Sequence, residues 1–202
     1  MAKKKSINGS KKILSALNTL MKNLDQKVSI TVGIQGSEAQ ATHPDSNITM
    51  AHLGAIHEFG ATIQVTEKMR AYLHHIGIHL KKDSTSITIP ARSFLRDTFF
   101  AGDAKERLMD FAGLSENHEF NKEFMEYKLV NDPEFFFKLC QAIGAKGVEM
   151  VQDSFRAGGY PNKWAPISEA TRRNRKGDAG QPPLVDTGDL MDSITAQVKR
   201  VK

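Results

Sequence analysis

A single cysteine, Cys140, stands in the 202-residue chain, so no disulfide can close within it and a reducing compartment is the expected setting. On the helix expected around it, Cys140 reads as a small buried hydrophobe rather than a catalytic thiol. No run approaches the roughly 20 apolar residues that span a bilayer, which argues against a membrane partner. The basic start, Met1 to Lys5, is followed by Ser6, Asn8 and Ser10 instead of an apolar stretch, so no secretory signal is expected. Proline is scarce, and none falls between Pro133 and Pro161, which leaves room there for a long unbroken helix. Also missing are the zinc-protease H-E-x-x-H, the nucleophile elbow, the phosphate loop and the dinucleotide fingerprint. The expectation is therefore a non-enzyme with no cofactor and no small-molecule substrate.

What is there is ordinary in bulk and uneven in detail. An apolar share of 40% and a charged share of 25% suit a globular protein. The length suits one domain over residues 1–202, with room for an inserted piece. The net charge of +5 is not spread evenly. Lys3, Lys4, Lys5, Lys11 and Lys12 fill the first twelve residues with no acid among them. From Phe155 onward nine basic residues face five acids, whereas Gly102 to Glu134 holds nine acids and four bases. Opposite charges on different parts of one chain suit head-to-tail contact between copies, or a basic face near nucleic acid.

Ile13, Leu14, Leu17, Leu20, Met21 and Leu24 recur at three- and four-residue steps and predict an amphipathic first helix. Val28 to Ile34 alternates as a strand does. A helix is expected within Ile48 to Phe59, stopped by Gly60, with strands at Ala61 to Val65 and Ser84 to Ile89. Residues 67–82 between them read as an excursion from a hairpin. Arg92 to Phe100 reads as a short helix with Phe94, Leu95 and Phe99 on its apolar side. The acidic stretch 102–131 reads as two short helices broken at Gly113-Leu114-Ser115. Asp132-Pro133-Glu134 is a helix start: an N-cap, then proline, then an acid in the first turn. Phe136, Cys140, Ile143, Gly147, Met150 and Val151 then form one stripe of a long helix that Gly158 and Gly159 end. A long loop with basic residues follows, then a short helix at Leu190 and a last strand from Ser193 to Val201. The expected class is α+β: a small, largely antiparallel sheet packed by helices, with one long helix in the C-terminal half and a long basic loop.

Few residues suggest chemistry. His75 and His79 would share a helix face beside His74, but no carboxylate or cysteine joins them, so no metal site is expected. His52 and His57 flank an apolar helix face and read as packing or boundary residues. The acids of 102–131 scatter around their helices as a solvated face does. Arg172, Arg173, Arg175 and Lys176 crowd one loop, where guanidinium forks suit phosphate or a neighbour's carboxylates. Trp164 lies in the same polar segment, and the reading favoured is that it pins the loop to the core.

Three segments together resemble the head–tail joining, neck or tail-completion proteins of long-tailed bacteriophages, grouped with virion-morphogenesis proteins. They are Ala55-Ile56-His57-Glu58-Phe59-Gly60-Ala61, Ile89-Pro90-Ala91-Arg92-Ser93-Phe94-Leu95-Arg96, and Trp164 to Ser168 running on through Thr171 and Arg175-Lys176-Gly177 to Pro183-Leu184-Val185-Asp186-Thr187-Gly188-Asp189-Leu190 and Ser193-Ile194. The excursion at 67–82 and the acidic stretch are departures from the family pattern. Physically, Phe59 and Gly60 end a helix, Pro90 ends a strand, Phe94 buries the next helix, and Asp186 or Thr187 can cap the turn through Gly188 to Leu190. The resemblance implies a virion protein made in the host bacterial cytoplasm and assembled as a homo-oligomeric ring. Its partners would be copies of itself, portal or head-completion proteins on one side and tail-terminator or tail-tube proteins on the other, around the channel that genomic DNA crosses. Three other readings are a tail-terminator or tail-tube protein, a non-specific DNA-binding module, and a metal-dependent nuclease.

Overall fold

The computed structural model describes residues 3–44, 46–113, 119–178 and 180–201. In chain order, the elements begin α1 (Lys3–Leu24), β1 (Lys27–Ile34), α2 (Ser37–Gln40), α3 (Met50–Phe59), β2 (Ala61–Gln64), α4 (Glu67–His75) and β3 (Ser86–Ile89). They continue with α5 (Arg96–Phe100), α6 (Ala104–Phe111), α7 (Glu119–Asn131), α8 (Phe135–Ala157), α9 (Glu169–Arg173), α10 (Asp189–Asp192) and β4 (Ile194–Val201). The fold is α+β, and its strands form two separate antiparallel pairs, β1 with β4 and β2 with β3. The chain divides into two compact units: residues 1–32, 103–147 and 196–202, and residues 33–102 and 148–195.

In the first unit α1 lies against α7. The residue that ties them is polar. Asn23 is buried, and its Nδ2 donates to the carbonyls of Leu129 and Asp132, each at 2.8 Å, where α7 ends. A buried asparagine is tolerated in this position because its amide finds two carbonyl acceptors: that of Leu129 in the last turn of α7, and that of Asp132, which also accepts from the Phe135 amide. Asp132 Oδ1 accepts from the amide of Glu134 at 3.0 Å, as a capping side chain would, but Pro133 and Glu134 lie in a turn and α8 itself begins at Phe135. Gly144, which weakens α8 in isolation, sits where an added Cβ would lie 3.2 Å from Ala196 and 3.4 Å from Ile30 and Val198. It is small because the sheet runs close beneath the helix.

The second unit is built around three rings. Phe94, Phe155 and Trp164 are all buried, with centroids 4.9 Å apart for the first pair and 5.6 Å for the second. α8 ends as a Schellman motif: the amide of Gly158 donates to the Phe155 carbonyl, and that of Gly159 to the Ser154 carbonyl. Both glycines have positive φ, and a Cβ on Gly159 would come within 2.4 Å of the Asn162 carbonyl oxygen. The β2–β3 hairpin pairs Ala61 with Ile89 through Gln64 with Ser86, and α4 forms the first half of the excursion between them.

Several local expectations need correction. The helix foreseen from Arg92 starts only at Arg96, because the amides of Phe94, Leu95 and Arg96 point at a carboxylate from another helix. His75 and His79 do not share a helix face: α4 ends at His75, and Gly77 at φ 80° turns the chain before His79. Neither Asp186 nor Thr187 caps α10, whose N-cap is Gly188 with no side-chain bond. Thr187 donates instead to Asp189, and Asp186 accepts from the Gly177 amide at 2.7 Å. The break foreseen at Gly113-Leu114-Ser115 falls mostly outside the described residues, as do the side chains of Lys3, Lys4 and Lys5.

Candidate functional site

The second unit gathers the three motif segments into one polar knot. Glu58, at the end of α3, is buried, and its carboxylate accepts five hydrogen bonds. Oε1 takes the Ser93 hydroxyl at 2.6 Å and both the amide and Nε of Arg96 at 3.0 Å. Oε2 takes the amides of Phe94 at 2.8 Å and Leu95 at 3.0 Å. The carboxylate thus fills the orphan amides ahead of α5, as an N-cap side chain would, but from a different helix. Burial acts to raise its pKa, yet the bonds from Leu95, Ser93 and Arg96 outweigh burial and hold it below the ordinary glutamate value. Arg96 Nη2 also donates to the Glu58 carbonyl at 2.8 Å, and its guanidinium lies 4.6 Å from the centre of the exposed Phe59 ring.

The third segment joins through Arg92, which is buried. Its Nε donates to the Ala165 carbonyl at 2.9 Å and its Nη2 to that of Pro166 at 3.3 Å. Trp164 Nε1 donates to the Ser93 carbonyl at 3.3 Å, so the tryptophan pins this loop to the core. Arg175 closes the far end: its Nη1 reaches the Gln181 carbonyl at 2.8 Å, and its Nη2 reaches those of Pro182 and Pro183 at 2.8 and 2.6 Å. Sequence reasoning grouped Arg175 with Arg172, Arg173 and Lys176 as candidates to meet phosphate or a neighbour's carboxylates, whereas it is the latch that folds residues 181–183 back. The Pro182 carbonyl accepts from the Val185 amide as well, so the latch reinforces a turn that the backbone already makes.

Beside the knot opens a cleft of about 720 Å³. Ile87, Ile89, Ile167, Leu184 and Leu190 give it apolar walls, and Arg92, Arg175 and His57 give it polar ones. Among the described residues neither guanidinium has a carboxylate partner; both use backbone carbonyls. Burial, and then the neighbouring Arg175 charge, push Arg92 down from the ordinary arginine value. His57 is driven to about 4, first by burial and then by Arg92, and its Nδ1 is buried with no hydrogen-bond partner among the described residues.

The remaining predicted residues divide cleanly. Arg172 and Arg173 lie exposed in the last turn of α9, and Lys176 is exposed just beyond it. Phe94 and Leu190 are core residues, Pro90 follows the last residue of β3, and Gly60 has φ 74° with Ile89 O and Ala91 N each 2.9 Å from where a Cβ would lie. Glu58, Arg92 and Arg96 stood inside the quoted motifs without an assigned role. Among the described residues no cluster of three histidines, cysteines or acids could hold a metal ion. Cys140 is buried, and burial pushes its thiol up. No helix among the described residues is long and apolar enough to cross a membrane. No family model, curated protein or solved structure matches the chain.

Proposed function

We propose that the protein is a structural component of a tailed-phage virion, acting at the head–tail junction by ring assembly and protein–protein contact around the DNA channel. The observation that carries this reading is the convergence of the three motif segments, separated by up to a hundred residues, on Glu58, Arg92, Trp164 and Arg175. Their polar atoms engage backbone amides and carbonyls, which is the work of a scaffold that holds surfaces in place. Arg172, Arg173 and Lys176 then form an exposed basic rim on the second unit. The acidic residues from Asp103 to Glu134 belong to the first unit. An acidic stretch and a basic rim on different parts of one chain suit heterologous contact between neighbouring copies, the kind that closes into rings.

The cleft supports the same reading, because a buried guanidinium without a carboxylate is rare in an isolated chain and suits an acid offered by a partner. The test is charge reversal at Arg172 and Arg173 together, leaving the Arg175 latch intact. Loss of joined particles with an unchanged melting temperature is the expected result. Normal joining by that variant contradicts the proposal.

A further inference from the structure

The first helix leaves a face uncovered. Ile13, Leu14, Leu17, Met21 and Leu24 of α1 are between 50% and 71% exposed, although they form one continuous apolar stripe. The face that α1 buries is a different one, running through Ala16, Thr19 and Leu20 to Asn23. Leu14, Leu17, Met21 and Leu24 follow the 3-4-3 spacing of a coiled-coil seam, with Ile13 on one flank. Together the five residues expose roughly 600 Å² per copy, at the upper end of the patches that monomers carry. Two such faces would bury about 1,200 Å², the lower edge of specific interfaces. On the other flank of the seam stand Lys11, Asn18 and Asp25, all exposed. Neither Lys11 nor Asp25 has an ion partner among the described residues.

We infer that α1 pairs with α1 of a second copy, antiparallel, along this stripe. Running antiparallel, Leu14 meets the partner's Leu24 and Leu17 the partner's Met21, and the two-fold axis passes between them. That register brings Lys11 of each copy beside Asp25 of the other, twice per pair. In a parallel pair the residues that face each other across the seam are Ile13 with Asn18 and Leu20 with Asp25, and no opposite charges meet. Charge therefore selects the direction, and the apolar seam supplies the affinity. The contact is isologous, so it does not depend on the head–tail reading and adds a two-fold to whatever ring contacts exist.

The test is sedimentation equilibrium of the full chain in low salt, with circular dichroism to verify folding. Wild type should have a mass that is an even multiple of the chain. Leu17→Glu with Met21→Glu should halve it while keeping the helical signal, since both positions face solvent within one copy. Lys11→Asp should weaken the pair by about tenfold, and adding Asp25→Lys should restore it, because about 1.4 kcal/mol separates matched from repelling ends. A monomeric wild type at 100-micromolar concentrations, or an unchanged mass in the double glutamate variant, overturns the inference. Failure of the charge swap to restore pairing overturns the antiparallel direction.

Discussion

Replacing Glu58 with glutamine changes one atom and breaks the knot at its centre. Whichever carboxylate oxygen becomes an amide nitrogen, at least two donors lose their acceptor: the Phe94 and Leu95 amides at Oε2, or the Arg96 amide and Nε at Oε1. The new NH₂ group points at those donors and cannot accept from them. Hydrogen bonds to a charged group are worth about 1.5–3 kcal/mol each, so Glu58→Gln should destabilise the second unit by roughly 3 kcal/mol. That corresponds to a melting temperature lower by about 10 °C for a unit of this size. Urea unfolding followed by fluorescence reports on this unit directly, since Trp164, the only tryptophan, packs on Phe155 inside it. The native carboxyl titrates below its ordinary value of 4.5, so its contribution is complete above that pH. As pH falls through the depressed native value, the contribution disappears and variant and wild type should converge. A loss under about 1 kcal/mol at neutral pH would refute the reasoning, because it would mean the five bonds are not made together.

Three further outcomes follow from the same geometry. His57 stays neutral in the fold down to about 4 but protonates near 6.5 when unfolded, so stability should fall as pH drops between those values. The loss should reach about 2 kcal/mol at pH 5 and be removed by His57→Gln, as read from urea midpoints across the pH range. Gly60→Ala forces a side chain onto φ 74° and against two backbone atoms at 2.9 Å, so it should cost at least ~2 kcal/mol by the same fluorescence assay, and a neutral result contradicts the tight turn. Asn23→Ala removes the side-chain donor to the Leu129 carbonyl and one of the two donors to that of Asp132, which keeps the Phe135 amide, and should destabilise the first unit by ~2 kcal/mol, seen as faster amide exchange in α1 and α7 with α3 and α5 unaffected.

The long helix α8 was readable because its signals are local: Pro133 at the start, a heptad-like stripe, and a glycine pair at the end that forms a Schellman motif. The α+β class was readable for the same reason, since β-branched alternation at Val28 to Ile34 and Ser84 to Ile89 does not depend on distant residues. What was hidden depends on partners far away in sequence. Glu58 looks like one more polar residue at a helix end until Ser93 to Arg96 present their amides to it. That same contact delays the start of α5, which periodicity alone places four residues too early. Arg175 is indistinguishable in sequence from Arg172 and Arg173, and only the return of the Gln181–Pro183 segment makes it a latch. The apolar stripe of α1 was legible as a pattern, but not the finding that a different face of the helix is the one covered.

Native mass spectrometry of the full chain across a concentration series, with negative-stain images of the same samples, tests the central claim most directly. A protein that works as a ring at the head–tail junction should give closed assemblies of a fixed number of copies, and these should fall apart when Arg172 and Arg173 are reversed in charge. A chain that stays monomeric at every concentration would contradict the account.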